Sequence, residues 1–142
     1  MEDSKSSVSV HVKLTVNPSK TEDFLSALKV IFEKTKLEPL NTFLEIYRDE
    51  QSPGMFKLVE NWNATADYMM NVSIYVSICV LFLRGMTGAD NNPHQVQVKK
   101  DYYQAYYAAL QPILLKAPEV EIFSRMPDNE WVSVRKECYP GR

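Results

Sequence analysis

Residues 8–16 read Val-Ser-Val-His-Val-Lys-Leu-Thr-Val and alternate without a fault. In an extended chain Val8, Val10, Val12, Leu14 and Val16 share one side, and Ser9, His11, Lys13 and Thr15 share the other. On a helix the same residues would scatter around the axis, so the chain begins with a strand that has one apolar face. That face must be buried against something, and the next residues supply it. Phe24, Leu25, Leu28, Ile31 and Phe32 recur at helical spacing, which predicts an amphipathic helix reaching about Lys36. Ser19 and Glu22 have the spacing of a capping box at its start. Pro39 ends it, because proline disfavours the helical conformation at Glu38.

The pattern then switches back to strands. Residues 42–48 and 55–62 read as a hairpin, with Pro53 and Gly54 in the connection where a turn requires them. On the second of these strands Phe56, Leu58, Glu60 and Trp62 fall on one face. Asn63 or Thr65 is placed to cap a following helix. The run Val96–Leu114 is helical again, with Val98, Tyr102, Tyr106 and Leu110 on one stripe flanked by Tyr103 and Tyr107. Residues 119–126 form a fourth strand, and 130–139 in the C-terminal tail 127–142 are a candidate fifth. The order is β-α-β-β-α-β, the split plan of an α+β ferredoxin-like domain over 8–126. One antiparallel sheet with helices on one face leaves the other face uncovered. Phe43, Tyr47 and Val59 on that sheet predict burial against a second copy, hence a homodimer.

Composition narrows the function classes. A net charge of −2, with lysine and arginine dispersed, gives no footprint for nucleic acid. His11 and His94 have no cysteine or histidine at ligand spacing, so no metal site is expected. Cys79 and Cys138 suit a reducing compartment. The opening residues lack the basic-then-apolar order of a secretory signal, so a cytoplasmic location is expected. There is no nucleophile elbow and no glycine-rich phosphate loop, which argues against a serine hydrolase and against nucleotide chemistry.

Four stretches together resemble the antibiotic-biosynthesis monooxygenase (ABM) domain family. They are VHVKLTVNPSKTEDFLSAL, EPLNTFLEIYRDEQSPGMFKLVENWNATADYM, YYQAYYAALQPIL and PEVEIFSRM, covering about 8–71 and 96–126. The Glu38-Pro39 pair and the Glu60-x-Trp62 ending of the third strand carry most of the match. The tyrosine-rich second helix resembles fungal members associated with secondary metabolism. The resemblance implies a dimeric α/β-barrel with a pocket between sheet and helices in each subunit. It also implies oxygenation of an aromatic, polyketide-type phenol or anthrone by dioxygen as co-substrate, with no metal, flavin or haem. Many members have a histidine early in the second helix; this chain has none at Asp67–Asn71, which places a histidine base or haem ligand there in doubt. A cofactor-free lyase, cyclase or isomerase, or a non-catalytic dimeric binding protein, are the other readings.

Within that frame Glu60, Trp62 and His11 are the candidate catalytic residues. A carboxyl pointing toward the helices must be paired or protonated, and an apolar setting raises its pKa toward general-base range. Trp62 can stack on a planar substrate. His11 is the sole histidine of the regular domain. Asn61, Tyr68, Tyr102, Tyr103, Tyr106 and Arg125 are the candidate substrate-binding residues: amide and phenol groups to orient a phenolic ligand, and a guanidinium for an anionic oxygen. Each also has a plain structural reading, as a core, rim or interface residue.

One segment disagrees with all of this. Residues 72–95 interrupt the second helix with a β-branched alternating run, Val72–Leu83, followed by a polar loop. At 12 residues this run falls short of the roughly 20 that a membrane helix needs, so no membrane span is expected. The insertion is either a genuine strand and lid or a translated unspliced intron of 24 codons; Val72-Ser73 and His94-Gln95 permit codons that resemble splice-site ends. Sequencing the transcript separates the two: an intron joins the Asn71 codon directly to that of Val96, and a dominant message that keeps the segment excludes it.

Overall fold

In a computed structural model of the chain, residues 7–72 and 108–139 are described. Strand β1, Val8–Thr15, lies at the centre of a four-stranded sheet. The helix α1 spans Thr21–Thr35, β2 spans Asn41–Arg48, β3 spans Met55–Trp62, α2 spans Ala66–Val72, and β4 spans Glu119–Ser124. The strand order is β2-β3-β1-β4, and every neighbouring pair is antiparallel. This is the ferredoxin-like arrangement that the sequence pattern predicts.

The alternation of β1 becomes the core. Val8, Val10, Val12, Leu14 and Val16 are all buried, on the same side as Phe56, Leu58 and Trp62 of β3. The helix α1 covers them with Phe24, Leu28 and Ile31, each fully buried, and the Phe24 and Phe56 rings meet at 4.9 Å between centroids. Burying side chains of this size stabilises the fold by about 1.5–3 kcal/mol apiece relative to exposure. Leu25, counted with the apolar stripe, is 40% exposed, because it sits at the margin of the stripe rather than on it. Met69 of α2 and Leu110, Ile113 and Leu114 complete the same cluster.

The local signals at the helix starts resolve in two ways. Thr65 caps α2, its Oγ1 accepting the Tyr68 N–H at 3.0 Å. The capping box expected at Ser19 and Glu22 does not form. Pro18 opens a 3-10 turn, Pro18–Lys20, capped by Asn17, whose Oδ1 accepts from Ser19 N at 3.1 Å and Ser19 Oγ at 2.9 Å. The serine thereby lies inside that turn, and the N-cap position of α1, which starts at Thr21, falls on Lys20, whose side chain makes no capping hydrogen bond.

Two irregularities shape the sheet. Between Asn41 and Phe43 the β2–β3 register shifts, so Thr42 is a bulge; its Oγ1 donates to the Asn61 carbonyl at 3.2 Å. Beyond the bulge Leu44 and Ile46 pack against the core, while Phe43, Glu45 and Tyr47 project from the opposite, open face. The expected strand over 130–139 is instead irregular chain closing in a 3-10 turn, Lys136–Cys138. Val132 and Val134 carry the alternation there, but both are exposed, so the pattern has no apolar surface to serve and no strand among the described residues pairs with it.

The hairpin between β2 and β3 closes on a glycine that is fixed twice over. Gly54 has φ +87°, and a Cβ at this position would stand 2.2 Å from the Val16 carbonyl oxygen. The Gly54 carbonyl in turn accepts the Val16 N–H at 2.7 Å, stitching the hairpin to the end of β1. We expect Gly54→Ala to lower the unfolding free energy by about 2 kcal/mol or more, since backbone strain and a steric clash coincide. Urea denaturation followed by circular dichroism measures it; an unchanged midpoint contradicts the assignment.

Candidate functional site

The site is built from β3. Two-residue periodicity places Glu60 and Trp62 side by side on the core face, with Val10 of β1 and Leu44 of β2 opposite Glu60 in register. Glu60 is completely buried and Trp62 nearly so. The indole Nε1–H of Trp62 donates to Glu60 Oε2 at 2.8 Å. Oε1 has no hydrogen-bond partner among the described residues. Thr35 is also buried among the apolar side chains, and its hydroxyl donates to the Ile31 carbonyl at 2.9 Å. The Glu60 carboxyl is therefore half-satisfied in a core whose other buried polar side chain is paired.

Its electrostatics follow. Burial pushes the Glu60 carboxyl up to about 8, and the hydrogen bond from Trp62 offsets only part of that rise. At neutral pH the group is mainly a carboxylic acid and can exchange a proton close to physiological pH. A hydrophobic residue of similar volume would be easier to bury here. A half-paired, proton-exchanging carboxyl in a core is what a functional site looks like in physical terms.

The sheet separates the other candidates from this pair. His11 and Asn61 project from the open face. The His11 ring packs against Phe123 in a tilted contact, 4.9 Å between centroids, and its Nε2 lies 3.0 Å from Ser9 Oγ. Its pKa falls below the ordinary value, first through burial and then through the Lys57 charge, against an opposing pull from Glu121. The Asn61 Oδ1 is buried without a partner among the described residues. Neither residue reaches Glu60, so Glu60, Trp62 and His11 do not form one cluster. Tyr68 is 41% exposed on α2. Arg125 is exposed just past β4, lining a 410 Å³ cleft with Ser7, Val8 and Thr65. That cleft lies at the end of the sheet where Val8 pairs with Trp62. Tyr102, Tyr103 and Tyr106 lie outside the described residues, as does most of the segment 72–95.

A second cluster escaped the sequence reading. Glu45 Oε2 accepts hydrogen bonds from Tyr47 Oη at 2.6 Å and from Tyr139 Oη at 3.0 Å. The carboxylate pushes Tyr47 up to about 12 and raises Tyr139 as well. Tyr139, an edge-on contact to Phe43 at 6.4 Å, closes one end of a 570 Å³ cleft between α1 and β2. Glu45 and Tyr47 could be paired by their two-residue spacing; Tyr139 is too distant in sequence for any local signal. None of these clefts is lined by Glu60 or Trp62, so they and the unusual carboxyl are different places. Among the described residues no group of histidine, cysteine, aspartate or glutamate side chains could hold a metal ion. No described helix is long and apolar enough to cross a membrane.

Comparison with known proteins places this geometry. Solved structures share the fold: an antibiotic-biosynthesis monooxygenase protein from Caulobacter crescentus, 20% identical, superposes with a TM-score of 0.59 over 86% of this chain and 92% of its own. One from Nitrosomonas europaea, 16% identical, gives 0.57 over 89% and 97%. No family model matches. A fungal protein of Pestalotiopsis microspora, named "putative monooxygenase", is 47% identical over 133 residues, spanning 94% of this chain and 91% of the relative. The chain belongs to the antibiotic-biosynthesis monooxygenase family. In this ABM chain Glu60 and Trp62 are the Glu-x-Trp ending of β3 on which the resemblance was read.

Glu60 makes stability depend on pH with a definite sign. Its folded pKa is raised above the ordinary 4.5, so its favourable contribution is complete below 4.5 and drains away as pH rises to about 8. Across that window this group alone lowers unfolding free energy by about 1.4 kcal/mol per pH unit. Glu60→Gln removes this slope. Denaturant midpoints of the two proteins between pH 5 and 8.5 check it, and parallel profiles contradict it.

Proposed function

We propose that this ABM chain is a cofactor-independent monooxygenase acting on an aromatic, polyketide-type phenol or anthrone, working as a homodimer with dioxygen as co-substrate. The observation that carries this reading is the buried Glu60 carboxyl, hydrogen-bonded by Trp62 and poised near neutral pH. The fungal relative's name supports the reaction class. An electron-rich polycyclic substrate, once its proton is handled, reacts with dioxygen itself. Conversion of a ring CH₂ to C=O consumes one O₂ and releases one water, so no external reductant is required. The protein's share is to bind the ring system, manage a proton at a substrate oxygen and exclude bulk water. Phe43, Tyr47 and Val59 on the open face, together with the unpaired Asn61 Oδ1, support a second copy covering that face.

The same carboxyl also serves a cofactor-free isomerase, cyclase or lyase, because proton exchange near neutral pH suits those reactions equally. Oxygen uptake decides between them. With a phenol or anthrone of suitable size and no added metal, flavin or haem, we expect one O₂ consumed per substrate in a sealed electrode cell. Glu60→Leu should lower kcat by about 100-fold while the far-ultraviolet circular dichroism is kept. Turnover without oxygen consumption transfers the assignment to the second class. Sedimentation equilibrium should return twice the 16.4 kDa chain mass.

A further inference from the structure

The outer edge of β2 carries backbone hydrogen-bonding groups that nothing among the described residues uses. The Asp49 N–H donates to the Met55 carbonyl and the Asn63 N–H to the Leu40 carbonyl, so the odd-numbered residues of β3 bond toward β2. Their partners within β2 are Phe43, Glu45 and Tyr47. In an antiparallel ladder the residues between bonded pairs turn their peptide groups the other way, so the N–H and C=O of Leu44 and Ile46 point outward. β2 is the last strand of the sheet on that side, and no other backbone among the described residues bonds to it there.

Leu44 and Ile46 line the 570 Å³ cleft, whose facing wall is one stripe of α1: Lys29, Phe32 and Lys36, at three- and four-residue spacing. Lys29 Nζ lies 2.7 Å from the Glu33 carboxylate, and Lys36 pairs with the same group. One acid between two ammonium groups leaves this wall a surplus positive charge, and each ammonium keeps further N–H donors. The other charged residue lining the cleft, Glu45, projects from the opposite face, where the Tyr47 and Tyr139 hydroxyls bond it.

We propose that the β2 edge and this α1 stripe form a docking site for an extended acidic segment of another protein, which adds to the sheet as a fifth strand beside β2. In an antiparallel addition, the residues opposite Leu44 and Ile46 direct their backbone bonds at β2 and their side chains toward α1. Those are the positions for carboxylates. Alternate residues of a strand lie about 7 Å apart, and Lys29 and Lys36 are separated by about 10 Å along the helix, a difference the flexible lysine stems span. Backbone pairing supplies the affinity and the lysines choose the sequence. A second copy is a poorer occupant: two β2 edges paired about a two-fold axis would set one Lys29–Lys36 stripe beside the other, like charge against like. The site lies apart from Glu60 and does not depend on the proposed reaction.

The test titrates the full chain with the blocked pentapeptide acetyl-Val-Glu-Val-Glu-Val-amide by isothermal calorimetry at low salt. We expect saturable one-to-one binding, about tenfold tighter than that of the counterpart with lysine in place of glutamate, and weaker as salt is added. N-methylation of both glutamate residues removes the donors that meet β2 and should cost about tenfold. N-methylation of the central valine, whose N–H points away, should leave binding unchanged. Lys29→Gln together with Lys36→Gln should abolish the preference for glutamate over lysine, and Glu33→Gln should tighten the acidic peptide about threefold. Glu60→Gln should bind it as the unaltered chain does. Absence of binding, equal binding of the acidic and basic peptides, or indifference to methylation at the glutamates overturns the proposal. Peptide binding that halves the mass in sedimentation equilibrium assigns the edge to a second copy and overturns it too.

Discussion

Strand β1 makes the rest of the molecule necessary. It is bonded on one side to β3 and on the other to β4, and it contributes an unbroken row of apolar side chains, Val8 to Val16, to the interior. With β1 central, β2 is confined to the far side of β3, and the helices must cover the valine face. Its end is held from both sides: Val16 by the Gly54 carbonyl, Asn17 by the Ile113 carbonyl. The hairpin and the segment following residue 108 are thus tied to the same point, although they are far apart in sequence.

On this frame the carboxyl of Glu60 is an expensive exception. Everything that makes β1 and β3 a good core makes the position bad for an acid, and the single indole bond from Trp62 does not offset the loss of water around both oxygens. Any chemistry the carboxyl takes part in is confined to the core face of the sheet. On the other face, His11 against Phe123 and the Glu45–Tyr47–Tyr139 set are half-exposed and make their contacts within the chain.

Much of this was legible in the residues. The two-residue period of 8–16 and 55–62 gave the strands, their parity and the burial of Glu60 beside Trp62, because parity depends on nothing beyond adjacent positions. The period of Phe24, Leu28 and Ile31 gave α1 for the same reason. What failed was competitive or long-range. Ser19 has capping chemistry, yet the 3-10 turn opened by Pro18 and capped by Asn17 takes in Ser19 and moves the start of α1 on to Thr21. Val132 and Val134 alternate, yet no apolar surface meets them. Tyr139 reaches Glu45 across 94 residues of sequence, a separation no local pattern can bridge. Strand parity also places His11 and Glu60, both candidate catalytic residues, on opposite faces of the sheet.

The bulge at Thr42 carries a consequence for how this chain can change length. In β3 every residue from Met55 to Trp62 is paired on the β1 side, so an inserted or deleted residue there would exchange Glu60 with Asn61 between the two faces. β2 already contains a slipped residue, and the slip lies next to the α1–β2 connection. Indels arising near residues 37–42 can be absorbed by moving or erasing that bulge, leaving Leu44 and Ile46 in the core. Divergence among relatives should therefore accumulate as gaps before β2 and as substitutions alone along β3.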